Sequence, residues 1–240
     1  MKKFILYFLL IISLMTFAFS GYKVSDYVLE VKGQQKLADE VVVEKGKEKG
    51  INFKKLKKKN EDVVAWIKIP KTDINYPIVQ TKDNNYYLNH DIDRKNSIYG
   101  AIFMDESEYG TDIATNRNSI IYGHNMGHWT SVMFGQLHKY EDNSFYEKSK
   151  KIYIYTENGN FEYRIISIMK INAGDLVYNV ELNTDDEYID EDYASWLNYC
   201  KDKSVIDCDE FDTENVSSAI TLSTCMYSND DQRFVVVAVR

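Results

Sequence analysis

Two runs near the end of the chain decide the fold: Ile220-Thr221-Leu222-Ser223-Thr224-Cys225 and, beyond a loop from Met226 to Gln232, Arg233-Phe234-Val235-Val236-Val237-Ala238-Val239. Both are built of β-branched and apolar residues, and their short separation reads as a hairpin that brings Cys225 and Arg233 side by side. Working outward, the same signature recurs in short runs separated by Asn, Asp and Gly: Val64 to Ile69, Tyr76 to Gln80, Ile98 to Met104, Ser119 to Tyr122, Lys151 to Thr156, Phe161 to Met169 and Ala173 to Val180. With Ala219 to Ser223 and Arg233 to Val239 these make about nine short strands, which imply a barrel or a sandwich.

Composition agrees. Of 240 residues, 44% are hydrophobic and 28% charged, which is globular, and 19 tyrosines against two prolines suit a strand-rich body. That length accommodates one catalytic domain with an appendage. The net charge of -8 argues against nucleic acid as a partner, because phosphate neutralisation needs a surplus of Lys and Arg. The charge is uneven: Asp185 to Glu214 carries 12 acids and two lysines, Lys23 to Asp62 carries 11 lysines and eight acids, so the basic stretch lies nearest the segment described next.

Lys2 and Lys3 precede Phe4 to Phe19, in which only Ser13 and Thr16 are not strongly apolar. Sixteen helical residues rise about 24 Å, and Gly21, Tyr22 and Val24 extend the segment toward a hydrocarbon thickness near 30 Å. An uncleaved anchor over 1–22 is the favoured reading, and a signal peptide cleaved near Ala18-Phe19-Ser20 is the alternative. Either way the lysines stay cytoplasmic and the body faces outward. Val24, Tyr27, Val28, Val31, Leu37, Val41 and Val42 then predict an amphipathic helix over about 23–48, ending near Gly46 or Gly50, and Phe53 with Leu56 a second short helix. The helical region spans 23–60 and the barrel 61–240. Late in the chain, Thr184 and Glu187 form a capping box, and Tyr188, Ile189, Tyr193, Trp196, Leu197 and Cys200 share one helical face that covers the barrel.

Three cysteines in an exported chain cannot all pair with one another. Cys200 reads as a buried helix residue, and Cys208 sits in the acidic run, where carboxylates blunt a thiol. Cys225 instead ends a strand. A second strand, Ile120-Ile121-Tyr122, runs through Gly123 into His124, and Arg233 supplies a fixed cation. An exposed-compartment thiol, an acid/base and a cation are what acyl transfer through a thioester requires. Tyr122 and Ser223 lie two residues before His124 and Cys225, on the same strand faces, and are expected to line a groove. Asp105 is a further candidate to orient a catalytic group, which leaves a Cys-His-Asp arrangement open. His124 and His128 mimic half of a zincin motif without its glutamate, so no metal is expected; His90 and His138 read as surface residues.

These residues carry a resemblance. Val63-Val64-Ala65-Trp66-Ile67-Lys68-Ile69-Pro70, Asn75-Tyr76-Pro77-Ile78-Val79-Gln80, Asp83-Asn84-Asn85-Tyr86-Tyr87-Leu88, Gly100-Ala101-Ile102-Phe103-Met104-Asp105, Tyr122-Gly123-His124-Asn125-Met126, Met133-Phe134-Gly135 and Thr221-Leu222-Ser223-Thr224-Cys225 are similar to class B sortases, over about 51–240. The resemblance implies an eight-stranded sortase β-barrel, mainly β, with two N-terminal helices and one helix inserted before the cysteine strand. It implies a cysteine transpeptidase without cofactors, with Cys225 as nucleophile, His124 as acid/base and Arg233 as oxyanion stabiliser, and it adds Leu88 and Asn89 to the substrate groove. The implied partners are surface proteins bearing a C-terminal sorting signal of NPQTN or xPxTG type and a peptidoglycan precursor or cross-bridge amine. A secreted thiol peptidase, with water as acceptor, would use the same residues.

Overall fold

The computed structural model describes residues 2–45, 48–127, 132–179, 181–183, 189–226 and 231–240. It divides into two compact units, Met1–Glu40 and Val41–Arg240. The first is helical: α1 (Lys2–Val41) runs unbroken through Tyr22, the expected boundary between the anchor and the helical region. At 1.5 Å per residue it is about 60 Å long, twice a hydrocarbon core.

The helix ends at Val41 and not near Gly46 or Gly50, because Val42 and Val43 open a hairpin of β1 (Val42–Lys45) and β2 (Glu48–Ile51), paired Val42 to Ile51. Consecutive β-branched residues lose side-chain freedom in a helix and pack well in a strand. The expected second short helix follows as α2 (Phe53–Lys59); Asn52 caps it by accepting from Lys55 N, and Phe53 and Leu56 are its buried residues.

Eight strands then close a barrel in the order β10-β8-β7-β3-β4-β5-β6-β9. They are β3 (Val63–Lys68), β4 (Asn75–Val79), β5 (Ile102–Met104), β6 (Asn118–Tyr122), β7 (Lys151–Thr156), β8 (Gly159–Asn172), β9 (Ala219–Cys225) and β10 (Gln232–Val239). Closure leaves no unpaired edge, and the interior is filled by side chains such as Ile67, Ile78, Ile121, Ile154 and Val236, all fully buried. The pairs β4–β5 and β6–β9 are parallel; the others are antiparallel. The terminal hairpin forms as expected, with Cys225 opposite Arg233.

One expected strand is absent: Ala173 to Val180 is a turn followed by a single helical turn at Leu176–Tyr178, which Asp175 caps by accepting from Val177 N. Val180 itself lies outside the described residues. Gly174 and Asp175 end β8, and an Asp side chain bonding two residues on competes with a strand ladder. Between β6 and β7 lie a 3-10 segment, Gly135–Glu141, and the four-residue α3 (Asn143–Tyr146). The late helix is α4 (Ile189–Asp202); its expected capping box, Thr184 to Glu187, and Tyr188 lie outside the described residues. Tyr193, Trp196, Leu197 and Cys200, spaced i, i+3, i+4, i+7, bury against Ile166, Met169, Val235 and Val237 of β8 and β10.

Candidate active site

Cys225 ends β9 and Arg233 lies across from it near the start of β10. On its other side β9 runs parallel to β6, with Tyr122 beside Ser223, so the chain that leaves β6 through Gly123 delivers His124 next to the end of the cysteine strand. Two glycines make that delivery possible. A Cβ on Gly123 would lie 2.5 Å from Ile102 Cδ1 and 2.7 Å from Phe134 Cγ, so only a bare backbone passes between β5 and Phe134. Gly100, at φ +58°, backs the His124 ring: a Cβ there would lie 2.5 Å from the Tyr87 carbonyl oxygen and 3.1 Å from His124 Cδ2.

His124, Cys225 and Arg233 open together onto one cavity of about 330 Å³. All three are half-buried and reach solvent at the rim. His124 Nε2 lies 2.8 Å from the Leu88 carbonyl oxygen, which fixes the ring plane from the 3-10 turn Tyr86–Leu88. The Arg233 guanidinium donates to the Gln232 carbonyl at 3.1 Å. Tyr122, Ser223 and Leu88 line the same cavity. Asn89 is not among its lining residues: its N–H closes the 3-10 turn on Tyr86 and its carbonyl accepts from Ser97 N at 2.9 Å. Asn84 and Asn85 line the cavity instead, in a turn that Asp83 organises by accepting from the amides of Asn85 and Tyr86.

The sequence reading missed Tyr178. Its hydroxyl pairs with Ser223 Oγ at 2.7 Å, and burial pushes the phenol up to about 12, so it stays neutral as a hydrogen-bonding group of the cavity wall. Gly174 and Asp175 were the signal that this stretch turns over the barrel mouth rather than continuing the sheet.

Asp105 does not approach the histidine through any described hydrogen bond. Its carboxylate accepts from Tyr122 Oη at 2.9 Å, Asn84 Nδ2 at 3.0 Å and Ser107, so it orients a wall residue. Burial raises the Tyr122 phenol well above its ordinary range, with the Asp105 charge acting in the same direction. Behind it Glu108 is almost fully buried, and desolvation lifts its carboxyl to about 8, against hydrogen bonds from Ile120 N and Asn183.

The other cysteines and histidines also find their places. Cys200 is fully buried and desolvation pushes its thiol far up. Cys208 is raised as expected, though burial outweighs the neighbouring carboxylates as the cause. His90 stacks on Tyr86 with centroids 4.1 Å apart and bonds the Tyr86 carbonyl. His138 is not a surface residue: its ring stacks on Phe234 and its nitrogens face Asn125 and Glu141. The two residues lie 13 positions before it and three after, a relation that sequence spacing does not reveal. His128, the second histidine of the half-zincin spacing, lies outside the described residues.

Comparison with known proteins gives a consistent result. The sortase domain family matches residues 67–240. Sortase B of Staphylococcus aureus is 38% identical over 188 residues, covering 78% of this chain and 73% of that protein. The solved Staphylococcus aureus sortase B–substrate complex superposes with a TM-score of 0.72 at 33% identity, covering 92% of this chain and 96% of that one. A sortase B complexed with triglycine gives 0.72 at 33% identity, with 92% and 97% covered.

Proposed function

The chain belongs to the sortase family, in class B, and from that membership we propose that it cleaves a C-terminal sorting signal after threonine and transfers the threonine acyl group to a peptidoglycan amine. A sortase is a cell-wall sorting transpeptidase. One observation carries it: Cys225, His124 and Arg233, more than 100 positions apart in the case of the first two, share one cavity at the barrel mouth.

In this mechanism the Cys225 thiolate attacks the carbonyl after the threonine. Arg233 faces the oxygen on which charge develops; a guanidinium keeps its charge throughout, so it serves both the tetrahedral intermediate and the positioning of the peptide. As the C–N bond breaks, imidazolium at His124 gives its proton to the departing amine, leaving a thioester on Cys225 and a neutral imidazole. The incoming amine then attacks the thioester, His124 takes its proton, and the thiolate leaves. Tyr122, Ser223, Tyr178 and Leu88 shape the groove for the signal. The relative solved with triglycine supports a glycine-type amine as acceptor, and the relative solved with its substrate supports a peptide in this groove.

Location follows the same line. Of α1, residues Lys3–Val41 are long and apolar enough to cross a membrane. With Lys2 and Lys3 on the cytoplasmic side, the barrel faces the wall.

The test is product analysis with the full-length chain in detergent, given NPQTN-type and xPxTG-type peptides with and without triglycine. Transpeptidation yields a peptide–triglycine conjugate, and Cys225→Ala abolishes it. Release of the free acid alone, unchanged by triglycine, would favour the thiol-peptidase alternative; cleavage by Cys225→Ala at the parent rate would end both readings.

A further inference from the structure

The loop that carries His124 is tied to Cys225 by a side chain that takes the place of the sheet. The last ladder bond between β6 and β9 runs from Gly123 N to the Ser223 carbonyl, 3.2 Å. In a regular parallel pair the next bond donated from the β6 side would run from the amide of residue 125 to the carbonyl of residue 225, but β6 ends at Tyr122. The Asn125 side chain supplies the bond instead, donating from Nδ2 to the Cys225 carbonyl at 2.9 Å.

The second hydrogen of that amide points to His138 Nε2, 2.9 Å away, while Asn125 Oδ1 accepts from Gly127 N at 3.2 Å. This arrangement fixes which end of the amide faces Cys225: a flipped Asn125 would set oxygen against oxygen. With the Asn125 amide as donor, His138 Nε2 accepts, which leaves the ring proton on Nδ1 facing Glu141 Oε1 at 2.7 Å; the same Nε2 lies 3.4 Å from the Cys225 carbonyl. Lys170 of β8 holds the other Glu141 oxygen at 2.9 Å. Phe234 of β10 stacks on the imidazole with centroids 4.5 Å apart, so the ring cannot swing away without losing that contact.

We propose that Asn125 and His138 are positioning residues for the nucleophile: the chain Lys170–Glu141–His138 orients the Asn125 amide, and that amide sets the Cys225 main chain at its working distance from His124. The inference rests on Cys225 and His124 being the catalytic pair. It adds two residues that touch neither substrate nor the reacting sulfur. Sub-ångström misplacement of a nucleophile costs rate and leaves binding almost untouched, so the effect belongs in kcat.

The experiment compares Asn125→Ala, His138→Phe, His138→Gln and the double variant N125A/H138F with the parent, as full-length chains in detergent. Two readouts are taken: kcat and KM on the sorting peptide, and the rate at which iodoacetamide alkylates Cys225, followed by peptide mapping. His138→Phe keeps the stack on Phe234 and removes the acceptor, whereas His138→Gln returns an amide oxygen near the Nε2 position. Asn125→Ala and His138→Phe are expected to lower kcat by about tenfold with KM and thermal midpoint little changed, and alkylation by a similar factor. The double variant should be little slower than Asn125→Ala alone, since His138 reaches the Cys225 carbonyl mainly through that amide and only at 3.4 Å by its own Nε2, and His138→Gln should recover most of the loss. Parent-like kcat and alkylation in His138→Phe, or losses that multiply in the double variant, would overturn the proposal. Should His138→Phe not fold, Asn125→Asp and His138→Gln keep the side-chain volumes and decide it: loss in the first with retention in the second supports the relay, and the reverse sinks it. A parent that never processes the peptide would refute the functional reading, while the alkylation rates would still judge the relay.

Discussion

At the scale of single residues, the site depends on positions where a side chain would be an intrusion. Gly100 sits at φ +58° with its missing Cβ directed at two carbonyls and the His124 ring. Gly100→Ala combines a left-handed backbone with a clash against main chain that cannot yield, so a loss of about 1–3 kcal/mol is expected in urea titration. It should also move His124 and lower turnover by more than the folded fraction accounts for; an alanine variant as stable and active as the parent would show that the loop relaxes freely. Tyr178→Phe removes the partner of Ser223 Oγ from the cavity wall and is expected to raise KM for the sorting peptide with little change in stability, read by steady-state kinetics. Cys225, His124 and Arg233 were legible in the sequence because each stands at the end or start of a strand-patterned run. Tyr178, Asn84 and His138 were not, because their partners come from distant segments and no periodic pattern marks them.

At the scale of elements, hydrophobic period carried most of the information. The i, i+3, i+4, i+7 face of α4 was readable, and its residues are the ones that pack on β8 and β10. Leu197 is fully buried there, and Leu197→Ala is expected to cost about 2–5 kcal/mol, seen as a lower urea midpoint at unchanged slope. The packing of α4 lies on the barrel side and no α4 residue lines the catalytic cavity, so turnover of the folded fraction should hold; loss of turnover at full stability would contradict that separation. Boundaries were harder. The helix expected to reach Gly46 stops at Val41, where valines favour the β1–β2 hairpin, and the expected ninth strand became a turn because Asp175 bonds its own neighbours. Both errors arise where local side-chain chemistry competes with a run of apolar residues.

At the scale of the whole molecule, barrel closure and the order of strands are what bring the catalytic candidates together, and neither follows from any one stretch of sequence. The parallel β6–β9 pair joins segments about 100 residues apart, and no local pattern in either segment indicates it. The closed barrel also buries Glu108 beside Asp105, with consequences for pH. Its carboxyl titrates near 8 when folded and near 4.5 when unfolded, so between those values the native state holds a proton that the unfolded state has released. Stability therefore falls as pH rises through that window, by at most about 1.4 kcal/mol per pH unit from this group. Glu108→Gln keeps an oxygen for Ile120 N and removes the titration, so its stability should decline less than the parent's between pH 5 and 8; parallel curves for the two proteins would mean that Glu108 is ionised in the fold.

In the proposed mechanism all of the chemistry passes through a thioester on Cys225, an intermediate that mass spectrometry would observe directly. The full-length chain is mixed with the sorting peptide in the absence of amine, quenched in acid, and mapped by mass spectrometry. The expected result is the N-terminal fragment of the peptide, through its threonine, attached to Cys225, absent from the Cys225→Ala variant and discharged on adding triglycine. Turnover without any adduct on Cys225, or an adduct on Cys208 in its place, would contradict the mechanism.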